Sequence, residues 1–224
     1  MTFYKLLQQG GPVMYVLLSL SILATAIILV KLYQYIQSGI FRMGFVEKSL
    51  SALSADGPGE ALHALSNQRN PVAQVMRSAL RCGMDPAMPP KDVDAEVSRV
   101  GSAEIRNLES CLRGLSSIAH LSPLLGLLGT VIGMINAFMR LEAAGSRVDP
   151  ALLSGGIWEA LLTTAFGLTV AIPSMAAFYY LEGEVDKVRA AMNDACVRIL
   201  LYFNKNTGEQ VLEEAALEEE HYGV

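Results

Sequence analysis

The sequence predicts an all-α integral membrane protein with three transmembrane helices, two of them extended into a cytoplasmic helical bundle. Two observations carry that prediction. The chain is 52% hydrophobic and only 17% charged, with mean hydropathy +0.36, too apolar and too lightly charged for an ordinary soluble domain. In addition, residues 6–30, 114–139 and 160–181 contain no charged side chain. Each window is long enough to cross a ~30 Å hydrocarbon layer at ~1.5 Å per residue.

Taken in order, residues 1–11 form an outer N-terminal segment and 12–36 the first transmembrane helix. Its apolar run is too long for the core of a signal peptide and ends without a small-x-small cleavage site, so it is expected to remain as an anchor. Orientation follows from the basic residues: ten of the 17 Lys and Arg lie between Lys31 and Arg113 and four follow the third span, whereas Lys5, Arg140 and Arg147 lie on the other side. The positive-inside rule therefore makes 37–113 a cytoplasmic helical region, broken at 56-DGPG-59, 70-NP-71 and 85-DPAMPP-90 into two or three helices. The second span is 114–139, a short outer loop covers 140–154, and the third span is 155–181, with Trp158 and Tyr179-Tyr180 at interfacial depth. A cytoplasmic helix extension follows over 182–205. The acidic tail, 206–224, reads most simply as a solvated terminus, with a docking tail as the lesser alternative.

Beyond the third span, Leu181, Val185, Val188, Met192, Ala195, Ile199 and Tyr202 alternate by four and three, a heptad seam. Before the second, Val93, Val97, Val100, Glu104, Leu108, Cys111 and Leu115 share one face. Such seams serve either as a core within one chain or as a bundle shared between subunits. Cys82, Cys111 and Cys196 have no paired ligand spacing and read as reduced structural thiols. With no phosphate-binding loop, no HExxH and three scattered histidines, no soluble enzyme chemistry is expected, nor any metal or cofactor. A net charge of −5 gives no reason to expect nucleic acid.

The spans are where residue choice is costly. Gly126, Thr130, Gly133 and Ala137 fall on one narrow face of the second helix, and Ala160, Thr164, Gly167 and Ala171 do the same on the third. Small faces let helices pack closely where lipid supplies no hydrophobic drive; alternatively they line a passage in which the threonine hydroxyls meet water, an ion or a partner. Glu159 adjoins the third span at its outer end, where a carboxylate either faces a polar interior or snorkels to the interface. Pro123 and Pro173 release helix carbonyls and act as kinks or hinges. His120 reads as a structural interfacial residue, with titration near neutrality as the alternative.

The runs 123-PLLGLLGTVIGMINAF-138 and 157-IWEALLTTAFGLTVAIP-173 together resemble the signature of the MotA/TolQ/ExbB proton-channel family, and 10-GGPVMYVLLSLSI-22 is similar to the N-terminus of its ExbB branch. The resemblance implies a bacterial inner-membrane motor subunit, N-terminus periplasmic and C-terminus cytoplasmic. It further implies a homo-oligomeric ring, five copies around an ExbD/TolR-type single-span partner whose aspartate carries the proton, with force passed to a TonB-type protein. The family's polar pore positions fall on Thr130, Thr164 and Glu159, and its prolines on Pro123 and Pro173. His120-Leu121-Ser122 depart from the pattern. One part follows from the residues alone: no carboxylate, lysine or histidine stands at mid-depth, and threonine does not titrate usefully. If the chain conducts protons, the carrier comes from another chain. A TolQ-like motor for envelope integrity and a non-transducing scaffold or channel are the competing readings.

Overall fold

The computed structural model describes the backbone of residues 11–143 and 150–222, and side chains over 11–143 and 154–205. Residues 1–10 of the expected outer segment and 144–149 of the expected outer loop lie outside the described residues. The described residues form seven helices joined by short turns and irregular connections: α1 Gly11–Ser38, α2 Gly44–Ala55, α3 Pro58–Leu65, α4 Pro71–Gly83, α5 Pro90–Glu109, α6 Leu112–Ala143 and α7 Pro150–Tyr222. Among the described residues, three helical stretches, those containing α1, α6 and α7, are long and apolar enough to cross a membrane.

The chain divides into two compact units. The first comprises residues up to Tyr33 together with Ser110–Glu182, and is therefore built from the apolar parts of α1, α6 and α7. Its packing is inside-out relative to a water-soluble domain. Large side chains such as Ile22, Leu29, Leu124, Leu127, Phe138, Leu161 and Ile172 point outward, while Ala24, Ala119, Ser122, Ala137, Ala160 and Thr163 are buried. A helix surface of this kind is stable only where the surroundings are themselves apolar. On α1 the buried line is Met14, Leu17, Ala24 and Lys31, a spacing of three and then seven. Lys31 is 2% exposed and donates from Nζ to Ser110 Oγ at 2.9 Å, in keeping with the rule that an interior charge needs a partner.

The second unit comprises Gln34–Glu109 and Gly183 onward. Four helices, α2 to α5, occupy the connection, rather than two or three. Besides the breaks at 56–59, 70–71 and 85–90, the chain also turns between α1 and α2, where Gly39 adopts φ 65°. Pro58, Pro71 and Pro90 each head a helix, where the missing N–H would lack an intrahelical partner anyway. Asn70 caps α4, its Oδ1 accepting from Val72 N. The core contains Leu50, Leu53, Leu65, Val72, Met76, Leu80, Val93, Val97 and Leu108, together with Val185, Val188, Met192, Ala195 and Ile199 of α7. The four-three seam of α7 is thus buried inside a single chain. Phe203 lies so close over Gly83 that a Cβ there would collide with its ring. Burial pushes the Cys196 thiol up to about 11, which suits an inert packing role.

The seam running up to the second span differs from its expectation. Cys111 adopts φ 65°, so α5 ends at Glu109, α6 restarts at Leu112, and the phase of the face slips. Cys111 is consequently exposed while Leu108, Leu112 and Leu115 stay buried. Within the second unit, the Tyr35 hydroxyl donates to Leu108 O at 3.1 Å, satisfying one of the last carbonyls of α5. Arg189 pairs with Glu109 and Arg198 with Glu47 at 2.7 Å, and the Arg198 guanidinium holds the Glu47 carboxyl below the usual carboxylate value. The backbone of α7 continues helically through the acidic stretch to Tyr222, a segment rich in the helix formers Ala, Glu and Leu.

Arg77 is half-buried, and its Nη1 donates to Leu65 O at 2.6 Å and to Gln68 O at 2.9 Å, closing the C-terminus of α3. Burial and the nearby Arg81 charge pull its pKa below the usual arginine value. Arg77→Ala is expected to destabilise the protein by about 2–3 kcal/mol, the range for a hydrogen bond from a charged donor. Thermal unfolding of the detergent-solubilised chain checks it.

Candidate functional site

Within the first unit, α6 and α7 meet along a line of small residues. Gly126, Gly129, Gly133 and Ala137 of α6 are buried, as are Gly156, Ala160, Thr163, Gly167 and Ala171 of α7. Here backbone lies against backbone. A Cβ at Gly167 would come 2.6 Å from Ser122 O and 3.1 Å from Gly126 Cα; one at Gly126 would come 3.0 Å from Thr164 Cα; one at Gly133 would come 3.1 Å from Ala160 Cβ. Steps of three and four along each helix keep these positions on one stripe. Close approach then supplies the van der Waals contact on which helix association in lipid depends.

The threonine hydroxyls of these two helices occupy distinct positions. Thr164 is half-buried and donates across the helix pair to Gly126 O at 3.1 Å. Thr130 is half-buried and donates within its own helix to Leu127 O at 2.6 Å. Thr163, not singled out from sequence, is 2% exposed, bonds to Ala160 O at 2.7 Å, and stands 3.4 Å from Gly126 O. Its signal was available in the spacing Gly156, Ala160, Thr163, Gly167, which is itself a four-three-four line. The carbonyl of Gly126 is therefore approached by two threonines, on the polar side of an otherwise apolar contact.

Glu159 is half-buried, and a Cβ at Gly11 would lie 3.9 Å from its Oε1. The carboxylate thus stands beside the first residue of α1, where the positive end of the helix dipole favours an anion. Pro123 and Pro173 lie inside α6 and α7, both of which continue through them. Each proline has a buried serine as neighbour: Ser122 bonds to Ile118 O and Ser174 to Val170 O, both at 2.7 Å. His120 is exposed, with Nδ1 2.7 Å from Ser116 O. Among the described residues no group of three His, Cys, Asp or Glu could hold a metal ion.

This arrangement brings threonine hydroxyls to a backbone carbonyl within the apolar stretches of α6 and α7, and neither kind of group exchanges a proton near neutral pH. It can solvate or guide a charge; it cannot store one.

The chain is similar in sequence to several proteins named for biopolymer transport. An ExbB homolog from Methanothermobacter thermautotrophicus is 30% identical over 187 residues, 83% of this chain and 64% of that protein. Biopolymer transport protein exbB1 of Vibrio cholerae is 29% identical over 189 residues, 84% and 82% of the respective chains. The Tol-Pal system protein TolQ of Haemophilus influenzae is 40% identical over 85 residues, 38% of this chain and 37% of that one. The chain thus spans less than two thirds of the first and last of these relatives. The family model of the MotA/TolQ/ExbB proton channel family matches residues 67–194, which takes in α4, α5, α6 and the apolar part of α7. On that match, which covers more than half of the chain, the chain belongs to the MotA/TolQ/ExbB proton channel family.

Proposed function

We propose that this chain is an ExbB-like subunit of an inner-membrane motor, N-terminus periplasmic and C-terminus cytoplasmic. With an ExbD-type single-span partner it converts proton motive force into mechanical work, delivered through a TonB-type protein to outer-membrane transport. The observation that carries the reading is the α6–α7 contact, with the Thr164 hydroxyl on Gly126 O at 3.1 Å and Thr130 half-buried nearby in the sequence register. Thr130, Thr164 and Glu159 form the polar wall, Pro123 and Pro173 are points of flexure, and the titrating carboxylate comes from the partner. A membrane potential supplies ~2.3 kcal/mol per charge per 100 mV as the partner's carboxylate is protonated on one side and released on the other.

Copies of the chain assemble into a ring, five by the family resemblance. Supporting this is a groove of about 840 Å³ in the second unit, between α5 and α7, whose lining includes Val97, Ile105, Ala190, Met192 and Val197. The apolar flank of α6 and α7 is also uncovered in a single chain.

Purification from native membranes tests the reading: a small single-span protein with an intramembrane aspartate is expected to accompany the chain. A homo-oligomer that conducts ions without any partner would overturn it in favour of a stand-alone channel. The 40% identity to a TolQ over 85 residues favours one second reading, an envelope-integrity motor of the same mechanism. Loss of growth on chelated iron on deletion supports the transport output; sensitivity to detergent with normal iron uptake supports the TolQ-like one.

A further inference from the structure

Just beyond α1, the second unit contains a basic pocket that the proton pathway does not use. Asn70 builds it, joining two separate stretches of chain: its Nδ2 donates to Gly39 O at 2.8 Å while its Oδ1 caps α4 through Val72 N at 2.9 Å. Being 3% exposed, Asn70 seats the start of α4 against the residues that follow α1. A cavity of about 500 Å³ opens there, with Gln37, Arg42, Asn67, Gln68 and Arg69 in its wall. A second, of about 490 Å³, shares Gln37, Gln68 and Arg69 and adds Arg77.

The charge at this place is one-sided. No aspartate or glutamate lines either cavity, and from Glu60 to Asp85 the sequence carries Arg69, Arg77 and Arg81 with no acid between them. Arg42 and Arg69 are exposed and enter no ion pair among the described residues, whereas Arg189 and Arg198 each hold a carboxylate. Two guanidinium groups with amide donors around them suit an oxyanion, above all a phosphate, which guanidinium binds through paired N–H donors.

Depth decides which phosphate. The same wall includes Ile36, in the last turn of the apolar helix α1, and Phe41, and these side chains are 63% and 46% exposed. An apolar and aromatic edge next to basic residues is the arrangement found where acyl chains give way to headgroups. We propose that this pocket binds the headgroup of an anionic phospholipid, its phosphate held by Arg42 and Arg69 and its acyl chains lying against Ile36 and Phe41. The proposal stands whether or not the proton-pathway reading does.

The test is native mass spectrometry of the full chain released from detergent micelles doped with equal amounts of phosphatidylglycerol and phosphatidylcholine. Phosphatidylglycerol is expected to be retained in preference, and Arg42→Gln/Arg69→Gln to reduce that preference about thirtyfold, at the usual strength of two basic residues near an anionic surface. Lys91→Gln/Arg106→Gln removes two positive charges elsewhere and should leave it unchanged; equal losses in both double variants, or no loss in the first, would overturn the proposal. Arg42→Lys/Arg69→Lys keeps the charge but not the paired N–H donors and should hold a preference clearly above that of the glutamine variant; a loss as complete as with glutamine counts against the headgroup charge as its basis. If excess inorganic phosphate strips the lipid from the wild-type chain, a free phosphate is the ligand and the lipid assignment fails.

Discussion

Gly167→Ala is expected to destabilise the α6–α7 pair by about 3 kcal/mol, the upper part of the usual range for overpacking. The new methyl would stand 2.6 Å from Ser122 O and 3.1 Å from Gly126 Cα, and neither is the end of a side chain that could rotate away. Relief requires moving one helix from the other, which opens the contacts at Gly126, Gly133 and Ala160 as well. Leu168→Ala is the control: Leu168 is 43% exposed and faces away from the seam, so its truncation should change the unfolding midpoint in detergent little. Equal midpoints for the two variants would mean that the small residues are not what holds this pair together.

In the motor proposed above, Thr164→Val is expected to reduce partner-coupled transport to about a tenth or less, while the amount of assembled protein stays at the wild-type level. Valine keeps the volume and removes the hydroxyl that reaches Gly126 O, and an interhelical hydrogen bond in a membrane is worth ~1–2 kcal/mol, or roughly tenfold. Thr164→Ser retains the hydroxyl and should restore most of the activity. Thr163→Val separates pathway from packing, since Thr163 is buried in the seam and its shorter bond is within its own helix, to Ala160 O. Its effect should fall on the unfolding midpoint and leave transport nearly intact. Full transport in Thr164→Val would remove this hydroxyl from the mechanism.

How the chain is cut into helices was readable in sequence wherever proline heads a helix, as at Pro58, Pro71 and Pro90. It was not readable at Cys111, because nothing in 109-ESCL-112 is a turn signal, yet the backbone there is left-handed, with φ 65°. Small residues at helical spacing put Thr130 and Thr164 on the faces of the second and third spans, whereas the buried lines run through Gly129 and Thr163. Adjacent positions differ by 100° on a helix, and only the partner's location decides which of the two is buried. Lys31 reads from sequence as a charge near the end of an apolar run; its burial depends on Ser110, 79 positions away. The Arg42 and Arg69 pocket was invisible for the same reason, since the Asn70 to Gly39 bond that creates it spans 31 positions.

The inside-out packing of the first unit also shapes how its stability depends on temperature. In the second unit, separating Leu, Val and Met side chains exposes apolar surface to water, which gives unfolding a large positive heat-capacity change and a domed stability curve. Parting α6 from α7 within a bilayer exposes glycine and alanine faces to acyl chains instead, and almost no apolar surface becomes hydrated. The heat-capacity change of that step is therefore close to zero, its enthalpy and entropy stay nearly constant, and the pair loosens almost linearly on warming with no cold-side maximum. Cooling should tighten this contact throughout the range in which the hydrophobic core of the second unit begins to lose its driving force.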